Sequence, residues 1–144
     1  MYLVVDTWVW KTAGQKTEES LESLELLAKI CRICHKIIYD YEEEILDEYR
    51  RCLEGSPIRH MFKIMTERGK IVPKSRSRVN IESFDKSDLK FIQVALSVPG
   101  SIIITGDSDF LQLRELLKRD KKLKKTLHGI QIYTPKEALN SNVL

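Results

Sequence analysis

The stretch SIIITGDSDFLQL, residues 101–113, runs from apolar chain directly into two aspartates separated by one residue. Ile102, Ile103, Ile104 and Thr105 form a continuous apolar and β-branched run, the pattern of a strand buried on both faces. Gly106 allows a turn, and Leu111, Leu113, Leu116 and Leu117 then begin a helical pattern. A fully buried strand that empties at once into a helix is the building unit of a parallel sheet. Asp107 and Asp109 lie at that junction, and the question is why two acids are placed there.

Working outward, "YLVVD" (2–6) reads as another buried strand, "KIIY" (36–39) as a short one and "IQIY" (130–133) as the last. Between them the apolar spacing turns helical. A stripe of Leu21, Leu24, Leu27, Ala28, Cys31 and Cys34 predicts a helix from Thr17 to Cys34. Asp40 can cap a helix through "YEEEILDEYRRCL", and Pro57 suits the first turn of a helix carrying Ile58, Met61, Phe62, Ile64 and Met65. Residues 69–84 read as an exposed loop with one short strand at Val79–Ile81. A helix over roughly 86–97 is capped by Asp85 and ended by Pro99-Gly100. Another runs from about 109 into a basic segment, and Pro135 starts a short terminal helix. Strands alternating with helices predict an α/β fold, a three-layer α/β/α sandwich around a mostly parallel sheet of four to five strands. With no internal repeat and no linker, residues 1–144 are expected to form a single domain.

The composition, 42% hydrophobic and 31% charged over 144 residues, is that of a folded globular chain. No apolar run approaches the roughly 20 residues of a membrane span, and "MYLVVD" shows no basic region or cleavage site of a signal peptide; the expected location is cytoplasmic. Cys31 and Cys34 form a C-x-x-C without a second pair to complete a zinc site, and read as structural thiols. His35, His60 and His128 are scattered, with no metal-ligand spacing. The net charge of +3 is mild. Base is nevertheless concentrated in "KIVPKSRSR" (70–78) and "KRDKKLKK" (118–125), which fits an anionic polymer as partner and equally fits solvated faces.

In an open parallel sheet, ligands bind beyond the carboxyl ends of the strands. Asp6 ends the first strand and Asp107 follows the strand at 101–105, so the two can meet on one edge. Asp88 falls early in the largely apolar 86–97 helix, where it can serve the helix dipole or face the sheet edge. Glu48 borders the stripe Ile45, Leu46, Tyr49, Cys52 and Leu53, beside Cys52, with Glu44 as its rival one turn earlier. Each acid has a local use as a cap or a surface charge. Gathered on one edge they would repel unless a proton or cation compensates, and oxygen-only ligands favour Mg²⁺ or Mn²⁺.

These segments resemble the four motifs of the PIN-domain nucleases, and the resemblance extends over nearly the whole chain. "VVDTWVW" looks like the first motif, a strand ending in Asp-Thr. "EEILDEYRRCL" is similar to the second and registers on Glu48. "DLKFIQVAL" is similar to the third, with Asp88 seven residues before Ala95. "IIITGDSDF" resembles the fourth and most specific. The resemblance implies that Asp6, Glu48, Asp88 and Asp107 form an acidic metal site for Mg²⁺ or Mn²⁺, with Asp109 auxiliary and the hydroxyls of Thr7 and Thr105 behind the carboxylates. It implies a metal-dependent endoribonuclease, with RNA as substrate and, for chains of this length, a toxin-antitoxin pairing with a small antitoxin protein.

Trp8 departs from the pattern, standing where the family usually has a small polar residue; an indole there can narrow the pocket or stack on a base. Lys74, Arg76 and Arg78, and separately Lys121, Lys122, Lys124 and Lys125, are candidates to follow RNA phosphates. The aliphatic residues of the 57–65 helix are candidates for a homodimer face or for the core. The competing reading is a catalytically inert PIN-like module that binds nucleic acid or assembles with other proteins. A receiver-type phosphoryl-transfer pocket is weaker, because it needs neither Glu48 nor Asp88 and no Gly-rich phosphate loop is present.

Overall fold

The computed structural model describes residues 1–144 as a three-layer α/β/α sandwich. Five strands, β1 (Tyr2–Val5), β2 (Lys36–Asp40), β3 (Ile71–Lys74), β4 (Ile102–Ile104) and β5 (Gln131–Tyr133), lie in the order β3-β2-β1-β4-β5. Every pairing is parallel, and Val5 is in register with Ile104. Leu3, Val4 and Val5 are fully buried, as are Ile103 and Ile104, which is why β1 and β4 are apolar without alternation. The chain leaves β1 for β2 on one side and returns as β4 on the other, so β1 and β4 flank the topological switch point.

Eight helices connect and cover the sheet: α1 (Thr7–Ala13), α2 (Glu18–Arg32), α3 (Glu44–Leu53), α4 (Arg59–Glu67), α5 (Lys86–Ser97), α6 (Ser108–Arg119), α7 (Lys121–Thr126) and α8 (Pro135–Asn140). α1 packs against α2 and α3, α2 against α8, and α5 lies across β1, β2 and β4. Caps set several boundaries. Thr17 and Ser20 form a capping box that starts α2, and Thr134 and Glu137 form another that starts α8, with Pro135 in its first turn. The buried Asp40 carboxylate accepts from the backbone N–H of Glu44 at 3.1 Å and of Ile45 at 2.9 Å. That holds the start of α3 although its capping residue, Glu43, is left-handed at φ 63°.

Three readings of the sequence are corrected. The loop at 69–84 contains edge strand β3, where Pro73 is tolerated because one side of an edge strand has no partner. Residues 79–81 form no strand: the Val79 carbonyl accepts from Gln93 Nε2 at 2.9 Å and the Ser77 N–H bonds the Gln93 carbonyl at 2.8 Å, tying this segment to α5. The last basic helix is broken at Asp120, which ends α6 and caps α7 through Leu123 N–H at 3.0 Å. In the 57–65 segment, Ile58, Phe62 and Met65 enter the core, and Met61 and Ile64 are half-buried. No helix is long and apolar enough to cross a membrane.

Candidate metal centre

Asp6 begins where β1 ends. It is 4% exposed and stands at the N-terminus of α1, yet its side chain caps nothing there. Its Oδ2 instead accepts from Thr105 Oγ1 at 2.7 Å, and the same hydroxyl oxygen accepts from the Asp107 N–H at 2.9 Å. Thr105 therefore joins the two strand ends across the switch point. Asp107 caps α6, accepting the Asp109 N–H at 2.8 Å.

Glu48 arrives from α3, whose position is set by aromatic packing. Tyr49, Trp10 and Phe62 form a cluster with ring centroids 5.4–6.1 Å apart, and the buried Tyr49 hydroxyl donates to the Val5 carbonyl. That bond pins α3 to the end of β1 and brings Glu48 beside α1. Its Oε2 accepts from Thr7 Oγ1, and its Oε1 from the Lys90 ammonium at 3.0 Å. Lys90 itself is buried on α5 and also donates to the Ser87 carbonyl.

Asp88 lies in the first turn of α5, one turn after the capping residue Asp85. Asp85 Oδ1 takes both the N–H and the hydroxyl of Ser87, at 2.8 and 2.7 Å. One carboxylate oxygen each of Asp85, Asp88 and Asp109 lies within 4.8 Å of the other two. This acidic cluster could hold a metal ion. The sequence reading gives Asp85 a capping role only; the i, i+3 spacing in "DKSD" places it and Asp88 on one helix face, which is the signal the sequence offers.

The acids feel one another. Burial, first, raises the Asp6 carboxyl to about 7; the Thr105 hydrogen bond opposes this, and the charges of Asp88, Asp107 and Glu48 add to it. Asp88 is raised to about 6 by burial, then by Asp107, Asp85 and Glu48, with Lys90 opposing. The fold thus collects negative charge that a single buried ammonium does not neutralise. The donors are carboxylate oxygens, which suit a hard divalent cation.

The remaining candidates are placed differently. Trp8 is half-buried and its ring lies against Gly106: a Cβ on Gly106 would come within 2.3 Å of Trp8 Cη2. Arg76 is engaged inside the molecule, bonding Glu44 at 2.8 Å and Gln93 at 2.8 and 3.0 Å, with Asp40 at 3.6 Å. Lys74 Nζ sits 4.5 Å over the Tyr2 ring. Arg78 is exposed, as are Lys121, Lys122, Lys124 and Lys125. Near Lys90, Arg50 and Arg51 of α3 line a polar hollow of about 530 Å³ with Glu44 and Asp47. On the other side a hollow of about 370 Å³, floored by Ile81, Phe84, Leu113 and Leu123, opens beside Asp85 and Asp109. A hollow of about 750 Å³ between α3 and α4 contains none of the clustered acids; chemistry rather than size locates the site. Comparison with family models, with characterised proteins and with solved structures finds no match.

Proposed function

We propose that this chain is a metal-dependent endoribonuclease of the PIN-domain kind, hydrolysing RNA phosphodiester bonds with Mg²⁺ or Mn²⁺. The observation that carries the reading is geometric: Asp6 is buried at the switch point and tied through Thr105 to the turn at Asp107, and oxygens of Asp85, Asp88 and Asp109 converge. A fold that gathers acids at the ends of its central strands, beyond what its own lysine can offset, is arranged for a cation. Asp85, Asp88 and Asp109 would hold it, with Asp6 and Asp107 offering further oxygens. The bound ion supplies charge relief to the phosphoryl oxygens and an acidified water as nucleophile.

The chain's own groups do the rest. Asp6 Oδ1 is free of the Thr105 hydrogen bond, which leaves it open to a cation or to the attacking water. Thr105 fixes the Asp6 carboxylate in one orientation, and Glu48 is fixed likewise by Thr7 and Lys90. Arg51 on one flank, with Arg78 and the α7 lysines, are the cations available to RNA phosphates; Arg50 is paired with Asp47 at the surface, and Lys74 and Arg76 are occupied within the fold. The hollow beside Asp85 and Asp109 gives room for a nucleotide next to the cluster. By the resemblance of its motifs, the role extends to a toxin neutralised by a small antitoxin.

Two observations favour a second reading. Both Glu48 oxygens are occupied, and the Trp8 ring lies over the turn at Gly106, as in an inert module whose pocket is partly closed. Incubation of mixed single-stranded RNAs with the chain separates the two. Cleavage in Mn²⁺ that stops on adding EDTA is expected; intact RNA in both conditions overturns the nuclease reading.

A further inference from the structure

Lys90 is the one lysine or arginine that the fold buries. α5 is apolar round much of its surface, with Leu89, Phe91, Ile92, Val94 and Ala95 all buried, so packing alone would be served by an aliphatic residue at this position. Removing an ammonium from water is costly unless it is paired and hydrogen-bonded. Here the Nζ donates to Glu48 Oε1 at 3.0 Å and to the Ser87 carbonyl, and it sits 5.2 Å from the Phe91 ring centroid. The other Glu48 oxygen accepts from Thr7. Glu48 therefore has both oxygens committed within the chain.

The opposite side of the cluster differs. Asp88 and Asp109 accept no side-chain hydrogen bonds, and Asp85 uses only Oδ1. The set of carboxylates is thus divided into a half neutralised by an internal cation and a half whose oxygens converge without one.

We propose that the Lys90 ammonium fills the place of a second cation, so that the site takes a single divalent ion on the Asp85–Asp88–Asp109 side and Glu48 positions Lys90 instead of binding metal. This rests on the metal-site reading above. Glu48 is thus the positioning residue, and the effect of Lys90 is on the number of ions bound.

Counting Mn²⁺ by equilibrium dialysis, with electron paramagnetic resonance of the bound ion, tests it on the full chain. The unchanged chain should bind one Mn²⁺, with the spectrum of an isolated ion. Lys90→Met releases Glu48 and should bind two, with the broadened signal of a coupled pair; Lys90→Arg keeps the charge and should bind one. If Lys90→Met does not fold, the double variant Glu48→Gln/Lys90→Met leaves no unpaired buried charge and should bind one. Two ions in the unchanged chain, one in Lys90→Met, or two in the double variant overturn this inference and leave the metal site standing. No ion in the unchanged chain overturns both.

Discussion

Thr105 Oγ1 donates to Asp6 Oδ2 at 2.7 Å, linking the ends of adjacent parallel strands that are 99 residues apart in the chain. Because the same oxygen accepts the Asp107 N–H, one hydroxyl orients the acid after β1 and the turn after β4 together. Thr105→Val keeps the shape and removes both bonds. It should cost about 1–3 kcal/mol in urea unfolding at pH 8, the range for leaving buried polar groups unsatisfied, whereas Thr105→Ser should recover most of the loss. A valine variant as stable as the parent would contradict this role.

The raised carboxyl of Asp6 makes stability depend on pH in a definite direction. Its folded pKa of about 7 lies above the ordinary value of 3.8, so between those two pH values the folded chain holds a proton that the unfolded chain has released. Stability from this group therefore falls as pH rises from about 4 to about 7, by on the order of 4 kcal/mol. Asp88, raised to about 6, adds in the same direction over a narrower window. In EDTA, Asp6→Asn should lose less stability than the parent between pH 5 and pH 8, since an amide oxygen can still accept from Thr105. Parallel losses in the two proteins would show that Asp6 is not under this strain.

Trp8 and Gly106 make a second test of the site's shape. A methyl group on Gly106 meets the far edge of the indole at 2.3 Å, so Gly106→Ala must displace the ring. The expected cost is about 1–3 kcal/mol, and Trp8→Ala in the same chain should relieve much of it. A double-mutant cycle with no coupling between the two positions would refute the contact.

Much of the fold is legible in the sequence for a physical reason. Strands β1, β2, β4 and β5 are short, apolar and bounded by Gly, Pro or Asp, and the helices from 17, 86 and 135 begin at side chains that cap them in the structure. Strand β3 was hidden because its backbone pairs only with β2 and its sequence, Ile-Val-Pro-Lys, has the proline and lysine of an edge. α1 was hidden because Thr-Trp-Val-Trp favours a strand locally, and its place is set by Trp10 packing on Tyr49 and Phe62. Asp6, Asp107 and Asp88 were legible as acids at element ends. Lys90 and the pairing of Arg76 were not, because a charge's partner is settled by tertiary distance, and no local spacing encodes it.

The cation itself should register in stability. Mn²⁺ at a hundred times its dissociation constant should add about 2.7 kcal/mol. Asp88→Asn, at a half-buried position whose side chain makes no hydrogen bond, should fold normally and lose most of that gain. A thermal midpoint unmoved by Mn²⁺ in the parent would favour the inert module.

The most direct measurement is RNA cleavage in Mn²⁺ by the parent and by Asp107→Asn, with thermal unfolding of both. Asparagine caps a helix about as well as aspartate, so α6 and the fold should survive the change while the site loses a charge. The account predicts cleavage by the parent, loss of cleavage by Asp107→Asn and, in metal-free buffer, a thermal midpoint of the variant no lower than the parent's. Equal cleavage by the two proteins would contradict it.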